Sequence, residues 1–305
     1  MESVLTIKDL HKSFKIGFIP RKKKILNGIT LSVNKGEIFG YLGPNGAGKT
    51  TTIKCILGLI FPEKGEITIL GQHYLSLRAK ENIGFLPENP YFYDYLTASE
   101  FLSFYARLFR IDKRKKEEKI KKLLYQLRLE QSVNLQLRKF SRGMLQRLGL
   151  AQALLNDPSL IFLDEPLGGL DPIGRKEIRD IIVEFKEEGK TVFLSSHILQ
   201  DIELICNRVA IIVNGEIVNQ GNIQDLISEK IYFTEITLSG VDRKILEALG
   251  ESVSIHGERI LLKVFDQDKV ESVLKLIRSN NGKVYSLMPR TQTLEDYFVG
   301  VVKQK

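Results

Sequence analysis

Gly43 to Thr50 read GPNGAGKT, and few stretches of eight residues restrict a chain as much. The pattern is G-x-x-x-x-G-K-T. The apolar run EIFGYL leads into it and the helical run GKTTTIKCILGLI leads out, so the sequence predicts strand, loop and helix in that order. Glycines let successive backbone N–H groups turn inward around a chain of phosphates. Lys49 adds charge toward the β and γ positions, and the Thr50 hydroxyl is a ligand for Mg²⁺. The candidate contacts are Gly43, Pro44, Asn45, Gly46, Ala47, Gly48, Lys49, Thr50 and Thr51.

A loop of this kind needs a parallel sheet behind it, and the chain supplies one. After residue 145 the pattern alternates helix and strand through LQRLGLAQALL, LIFLDEP, GRKEIRDIIVEFKEEG and TVFLSSH. Near-continuous apolar strands between helices are the mark of a parallel sheet. LIFLDEP, Leu160 to Pro166, delivers two acids at a strand's carboxyl end, where ligands bind in such sheets. Asp164 is a candidate to hold Mg²⁺ through water, and Glu165 to accept a proton from an attacking water. FSRGMLQR, Phe140 to Arg147, reads as a helix start with Ser141 as N-cap. Its free N–H groups favour an anion, although no phosphate loop lies beside it in the chain.

Earlier segments differ in kind. VLTIKDLHKSF and ITLSVNKGE read as strands, and residues 94–131 are helical, with apolar residues at three- and four-residue spacing. Beyond a boundary near Gly221 to Glu229 the order is strand, helix, strand, strand, helix, strand. That βαββαβ order matches the ferredoxin-like arrangement, and a last helix, LEDYFVGVV, follows. The helix after the first of these strands is expected over Asp242–Leu249.

The 305 residues suffice for one large domain and a small one. No apolar run approaches the roughly eighteen residues of a membrane span, and the N-terminus lacks a signal-peptide core, so the chain is expected in the cytosol. Cys55 and Cys206 lack metal spacing and read as buried thiols. The net charge of +8 is concentrated in PRKKK, read as a solvated loop, and in DKRKKEEKIKK, read as a solvated helix face. The alternative for both runs is attraction to nucleic acid or to an anionic membrane face.

The phosphate loop, FSRGMLQR, LIFLDEP, GGLDP and the histidine that ends TVFLSSH, in this order, resemble the ATPase subunit of ABC transporters over residues 1 to about 225. The ending TLEDYFVGVV makes the export-type subunits encoded apart from their permease the most similar group. The resemblance implies an α/β P-loop ATPase cassette in residues 1–225. Its sheet is mainly parallel, with an antiparallel N-terminal β part and a helical subdomain at about 89–150. A small α+β accessory domain follows at 230–305. Ser141 and Gly143 match the signature that grips the γ-phosphate of ATP held by the opposite subunit, and Asp171 matches the loop that meets that partner. His197 matches the switch histidine. Phe14 takes the place of the aromatic that stacks on adenine, with Phe18 as the fallback. In the signature, Phe140, Arg142 and Met144 depart from the family's Leu-Ser-Gly-Gly-Gln. The family's glutamine after IGFLP is Glu88 here, a carboxylate that accepts Mg²⁺ or orients water but donates no hydrogen bond when ionised.

The implied partners are a transmembrane permease and a second ATPase subunit, in a homodimer or a heterodimer, with no direct nucleic acid. The implied location is the inner face of the cell membrane, peripheral, through the permease. The segment NPYFYDYLTASEFLSFYARLF lies where the family receives its permease, and some of its rings are expected in the core. Two other readings exist. A soluble ABC ATPase acting on nucleic acid or ribosomes is disfavoured by a single cassette without long insertions. A binding module with little turnover is disfavoured by the presence of both Glu165 and His197.

Overall fold

The length of each buried run decides where the strands fall. In the computed structural model the first unit, Met1–Ile223, begins with β1 (Ser3–Ile16), β2 (Arg21–Asn34), β3 (Ile38–Leu42) and α1 (Lys49–Ile56). It continues through β4 (Lys64–Ile69), β5 (Gln72–His73), α2 (Leu77–Glu81) and β6 (Ile83–Leu86). Then come α3 (Ala98–Leu108), α4 (Lys113–Gln126), α5 (Arg142–Ala153), β7 (Leu160–Asp164) and α6 (Pro172–Glu187). Last are β8 (Thr191–Ser196), α7 (Leu199–Ile205), β9 (Arg208–Val213) and β10 (Glu216–Asn222), after which the short α8 (Ile223–Leu226) follows. The structure describes residues 2–17, 21–227, 231–247, 252–257, 259–291 and 293–303.

Six strands form one sheet in the order β10-β9-β3-β8-β7-β6. Its neighbours run parallel except for β9 and β10. Strands β3, β7 and β8 are buried at every position, as expected where a parallel strand is covered on both faces. Rings fix the packing between them. Phe193 stacks at 5.7 Å on Phe39 and touches Tyr41 and Phe162 at 5.4 and 5.5 Å. Burying each such side chain stabilises by about 1.5–3 kcal/mol. The buried Tyr41 hydroxyl meets Thr52 Oγ1 at 3.2 Å, which ties β3 to α1, and burial pushes the phenol's pKa up.

A second, antiparallel sheet has the order β2-β1-β4-β5. Here the reading of PRKKK as a loop is corrected. Arg21 to Lys24 open β2 and pair with β1, Phe14 standing opposite Lys23. Arg21, Lys22, Lys23 and Lys24 are all exposed while the strand continues toward the buried Leu26, so the polar run hides the strand's period.

Two helices follow from their caps and apolar stripes. Thr97 and Glu100 form a capping box at the start of α3, which buries Phe101, Leu102 and Ala106. Asp112 caps α4, which buries Ile120, Leu123 and Leu124 and turns most of its charged residues outward, as DKRKKEEKIKK suggests.

The second unit, Gln224–Lys305, runs β11 (Ile231–Ser239), α9 (Arg243–Glu247), β12 (Ser252–His256), β13 (Arg259–Val264), α10 (Val270–Ser279), β14 (Lys283–Thr291) and α11 (Leu294–Lys303). The end of the helix expected to reach Leu249 lies outside the described residues, as does Phe18. Its sheet has the order β12-β13-β11-β14, antiparallel throughout. Ile236, Leu238, Ile260, Leu262 and Val264 bury one face against Val273 and Ile277 of α10. Among the described residues no helix is long and apolar enough to cross a membrane.

Candidate active site

The loop after β3 turns where only glycine passes. A Cβ at Gly43 would lie 2.3 Å from the Ile212 carbonyl oxygen, and Gly48, which caps α1, has φ +113°. The turn brings the first residue of α1 back under the loop. Lys49 Nζ donates to the carbonyls of Gly43 at 2.7 Å and Pro44 at 3.3 Å. It also meets Glu165 Oε1 at 3.1 Å, and both side chains are less than a tenth exposed, at 7% and 8%.

Strand β7 ends beside this lysine. Asp164 is buried and accepts from Thr50 Oγ1 at 3.2 Å and from Ser195 Oγ at 2.6 Å. Ser195 also takes the Glu165 N–H, on its hydroxyl at 3.0 Å and its carbonyl at 3.2 Å. These bonds hold Glu165 at φ +50°, a costly conformation for a residue with a side chain. His197 Nδ1 lies 2.7 Å from Glu165 Oε2, and the His197 N–H donates to the same oxygen at 3.3 Å. One carboxylate therefore bridges a lysine and a histidine. Removing either partner would leave buried charge less compensated, which is more damaging than the loss of a surface pair.

Above these groups opens a cleft of about 640 Å³. Its lining joins Phe14, Asn45, Gly46, Gly48, Lys49, Thr50, Thr51, Glu88, Glu165 and His197. Residues far apart in the chain thus meet at the carboxyl ends of β3, β7 and β8, where a parallel sheet exposes its ligand-binding edge. Gly43, Pro44 and Ala47 belong to the loop but do not line the cleft. Ser141, Gly143 and Asp171 do not line the cleft. Ser141 Oγ caps α5 by accepting the Met144 N–H at 3.2 Å, and Gly143 faces open space. Asp171 caps α6 by accepting the Gly174 N–H at 2.7 Å.

Four contributors escape sequence reasoning. Ser195 orients both acids, Lys23 and Ile25 line the cleft beside Phe14, and Gln146 ties α5 to the segment after Glu165 through the Pro166 carbonyl at 2.9 Å. For Ser195 the only signal was its place before His197, one residue from an identical serine. Cys55 and Cys206 lie outside the cleft, and burial pushes the Cys55 thiol up to about 11.

The donor set suits a hard divalent cation. A hydroxyl and a carboxylate, Thr50 and Asp164, stand together at the end of the loop. Among the described residues no three of His, Cys, Asp and Glu converge as a metal cage. A small cation here would therefore complete its shell with phosphate and water oxygens, as Mg²⁺ does.

Comparison with known proteins agrees with this geometry. The family model described as ABC transporter matches residues 26–168, which contain the loop and both acids. An ABC transporter ATP-binding protein of Synechocystis is 40% identical over 97% of this chain and 84% of its own length. The bacitracin transport ATP-binding protein BcrA of Bacillus licheniformis is 35% identical, over 99% of this chain and 98% of its own. A solved ATP-binding subunit of an ABC transporter, 33% identical, superposes with a TM-score of 0.63 over 73% of this chain and 91% of that one. Both relatives match along nearly the whole chain, the C-terminal unit included, and both are named as transport ATP-binding proteins. The chain is an ATPase, and it belongs to the family of ABC transporter ATP-binding proteins.

Proposed function

We propose that this chain is the ATPase subunit of an exporter and that the cleft over Lys49, Glu165 and His197 is where ATP is cleaved. The observation that carries the reading is the bridge by which one buried carboxylate, Glu165, contacts both the loop lysine and the histidine.

In this reading Phe14 stacks on adenine at the rim, and Lys23 adds a cation beside it. The loop N–H groups enclose the phosphates. Lys49 moves its charge from Glu165 to the γ-phosphate, where negative charge grows in the transition state. Glu165, released from the lysine, accepts a proton from the attacking water, while His197 keeps that carboxylate aimed and contacts the γ-phosphate. Ser195 holds Asp164 and the Glu165 backbone in place. Thr50 and Asp164 would hold Mg²⁺, which when bound neutralises charge across the β- and γ-phosphates. Glu88 adds a carboxylate to the same cleft and adjusts cation or water binding there.

Ser141 and Gly143 grip the γ-phosphate held by a second ATPase subunit, and Asp171 meets that subunit. The exposed rings of Tyr91, Tyr95 and Phe104 suit a transmembrane permease seated on the helical part. Through the permease the chain would work at the inner membrane face, and the cargo would be chosen by the permease. The unit after Ile223 is accessory to the cassette.

Steady-state ATP hydrolysis by Lys49→Ala tests the reading. The expected loss is at least about a hundredfold, the scale of removing one group that stabilises transition-state charge. Wild-type turnover in this variant would refute the site.

A further inference from the structure

The C-terminal sheet has one covered face and one open face. Strand alternation sends Ile236, Leu238, Ile260, Leu262 and Val264 to the core beneath. Phe233, Glu235, Arg259, Lys263 and Phe265 therefore share the other face. Their contacts agree with this placement. Lys263 Nζ stands 4.9 Å from the Phe233 ring centre, and Phe265 packs on Phe233 at 5.7 Å. The Arg259 guanidinium and the Lys283 ammonium flank Tyr285 at 4.6 and 5.3 Å. Among the described residues the acid on this face, Glu235, is engaged by Arg290 at 3.0 Å. Among the described residues no carboxylate pairs with Arg259, Lys263 or Lys283. At one end of the sheet Ile231, Tyr232 and Phe265 are 41%, 54% and 49% exposed.

We propose that this face binds the anionic phospholipid headgroups of a membrane, a second membrane contact beside the one made through the permease. The proposal rests on reading the chain as a subunit that works next to a membrane. Charge sets the sign of the partner, because among the described residues three cations are uncompensated and the acid Glu235 is neutralised. The rings set its class. Tyrosine and other rings with a polar rim settle at headgroup depth, next to lysine and arginine heads that meet phosphates. Single-stranded nucleic acid is a poorer fit, since base stacking needs free ring faces. Here cations already stand over Phe233 and Tyr285. The cations also lie on β13 and β14, on either side of β11, and such a spread matches a plane of headgroups better than one acidic peptide.

The test is sedimentation of the full chain with vesicles of phosphatidylglycerol mixed into phosphatidylcholine, beside vesicles of phosphatidylcholine alone. Wild type is expected to sediment with the anionic vesicles, to be released by salt, and to ignore the neutral ones. Each basic group near an anionic surface contributes roughly fivefold. Arg259→Glu with Lys283→Glu should thus weaken binding by at least about twentyfivefold while leaving ATP hydrolysis intact, which also verifies folding. Lys275→Glu makes the same kind of charge change on α10, over the covered face, and is expected to keep binding. No sedimentation of wild type, or equal loss in Lys275→Glu, would overturn the proposal. So would wild-type-like vesicle binding by the double variant, or reversal-sensitive binding of an oligonucleotide or polyglutamate without vesicle binding. Because hydrolysis is measured in parallel, failure here leaves the ATPase reading standing, and failure of Lys49→Ala to lose activity leaves this one standing.

Discussion

Two helix starts in this molecule are built to face anions, and they are finished to different degrees. At α1 the charges converge. Lys49, Glu165, Asp164, Thr50, Ser195 and His197 form one connected set of contacts, most of it buried. At α5 Ser141 caps the first turn and Gly143 leaves it open, but neither lines the cleft. The first start has a cation, acids and a base within reach, whereas the second offers N–H groups and the Arg142 cation but no acid or base. A complete chemical site beside an incomplete anion grip is what the proposed pairing with a second ATPase subunit requires.

The largest effect should come from the complete side. Glu165→Gln removes the proposed base while keeping its size, so kcat should fall by about two to four orders of magnitude with ATP still bound. Stopped-time phosphate release beside equilibrium ATP binding separates the two, and a parallel loss of both would mean that Glu165 acts through structure. A smaller change follows at Ser195. Ser195→Ala removes a hydroxyl that orients both acids, and a loss of roughly tenfold to a hundredfold in kcat is expected, in line with groups that orient ligands from behind. An unchanged rate would show that the strand backbone alone fixes them. Glu88→Gln is expected to shift the Mg²⁺ concentration needed for half-maximal rate rather than abolish turnover. Identical metal titrations would mean that its carboxylate stays out of the chemistry. On the incomplete side, Ser141→Ala should cost about 1 kcal/mol of stability through the lost cap, read by thermal or denaturant unfolding. Its ATP affinity as a single chain should stay unchanged. A drop in that affinity would erase the distinction between the two helix starts.

Much of this contrast was legible before the fold was known, because the features that carry it are local. The glycine loop, the apolar strand ending in Asp164 and Glu165, and the Ser141 cap each declare themselves within about eight residues. What stayed hidden depends on register. Ser195 and Ser196 are the same residue in sequence, and only the pairing of β7 with β8 sets Ser195 opposite Asp164. Lys23 looked like part of a solvated run until the β1–β2 pairing placed it across from Phe14. Arg142 stood out as a departure from the family pattern. Its guanidinium lies against Gly169, where a Cβ would come within 2.2 Å of it, and the sequence does not signal that contact. Periodicity reports which way a side chain turns, but not which distant strand it meets.

The proposal that the α5 start is completed by a second ATPase subunit is tested most directly by the mass of the ATP-loaded protein. Glu165→Gln should hold ATP unhydrolysed and accumulate a closed dimer in size-exclusion chromatography with light scattering. Adding Ser141→Arg puts a bulky cation at the helix start and removes its cap. The double variant should remain monomeric with ATP while binding nucleotide as tightly as Glu165→Gln alone. A dimer that persists unchanged in the double variant would contradict the account, since α5 would then have no part in the grip between subunits.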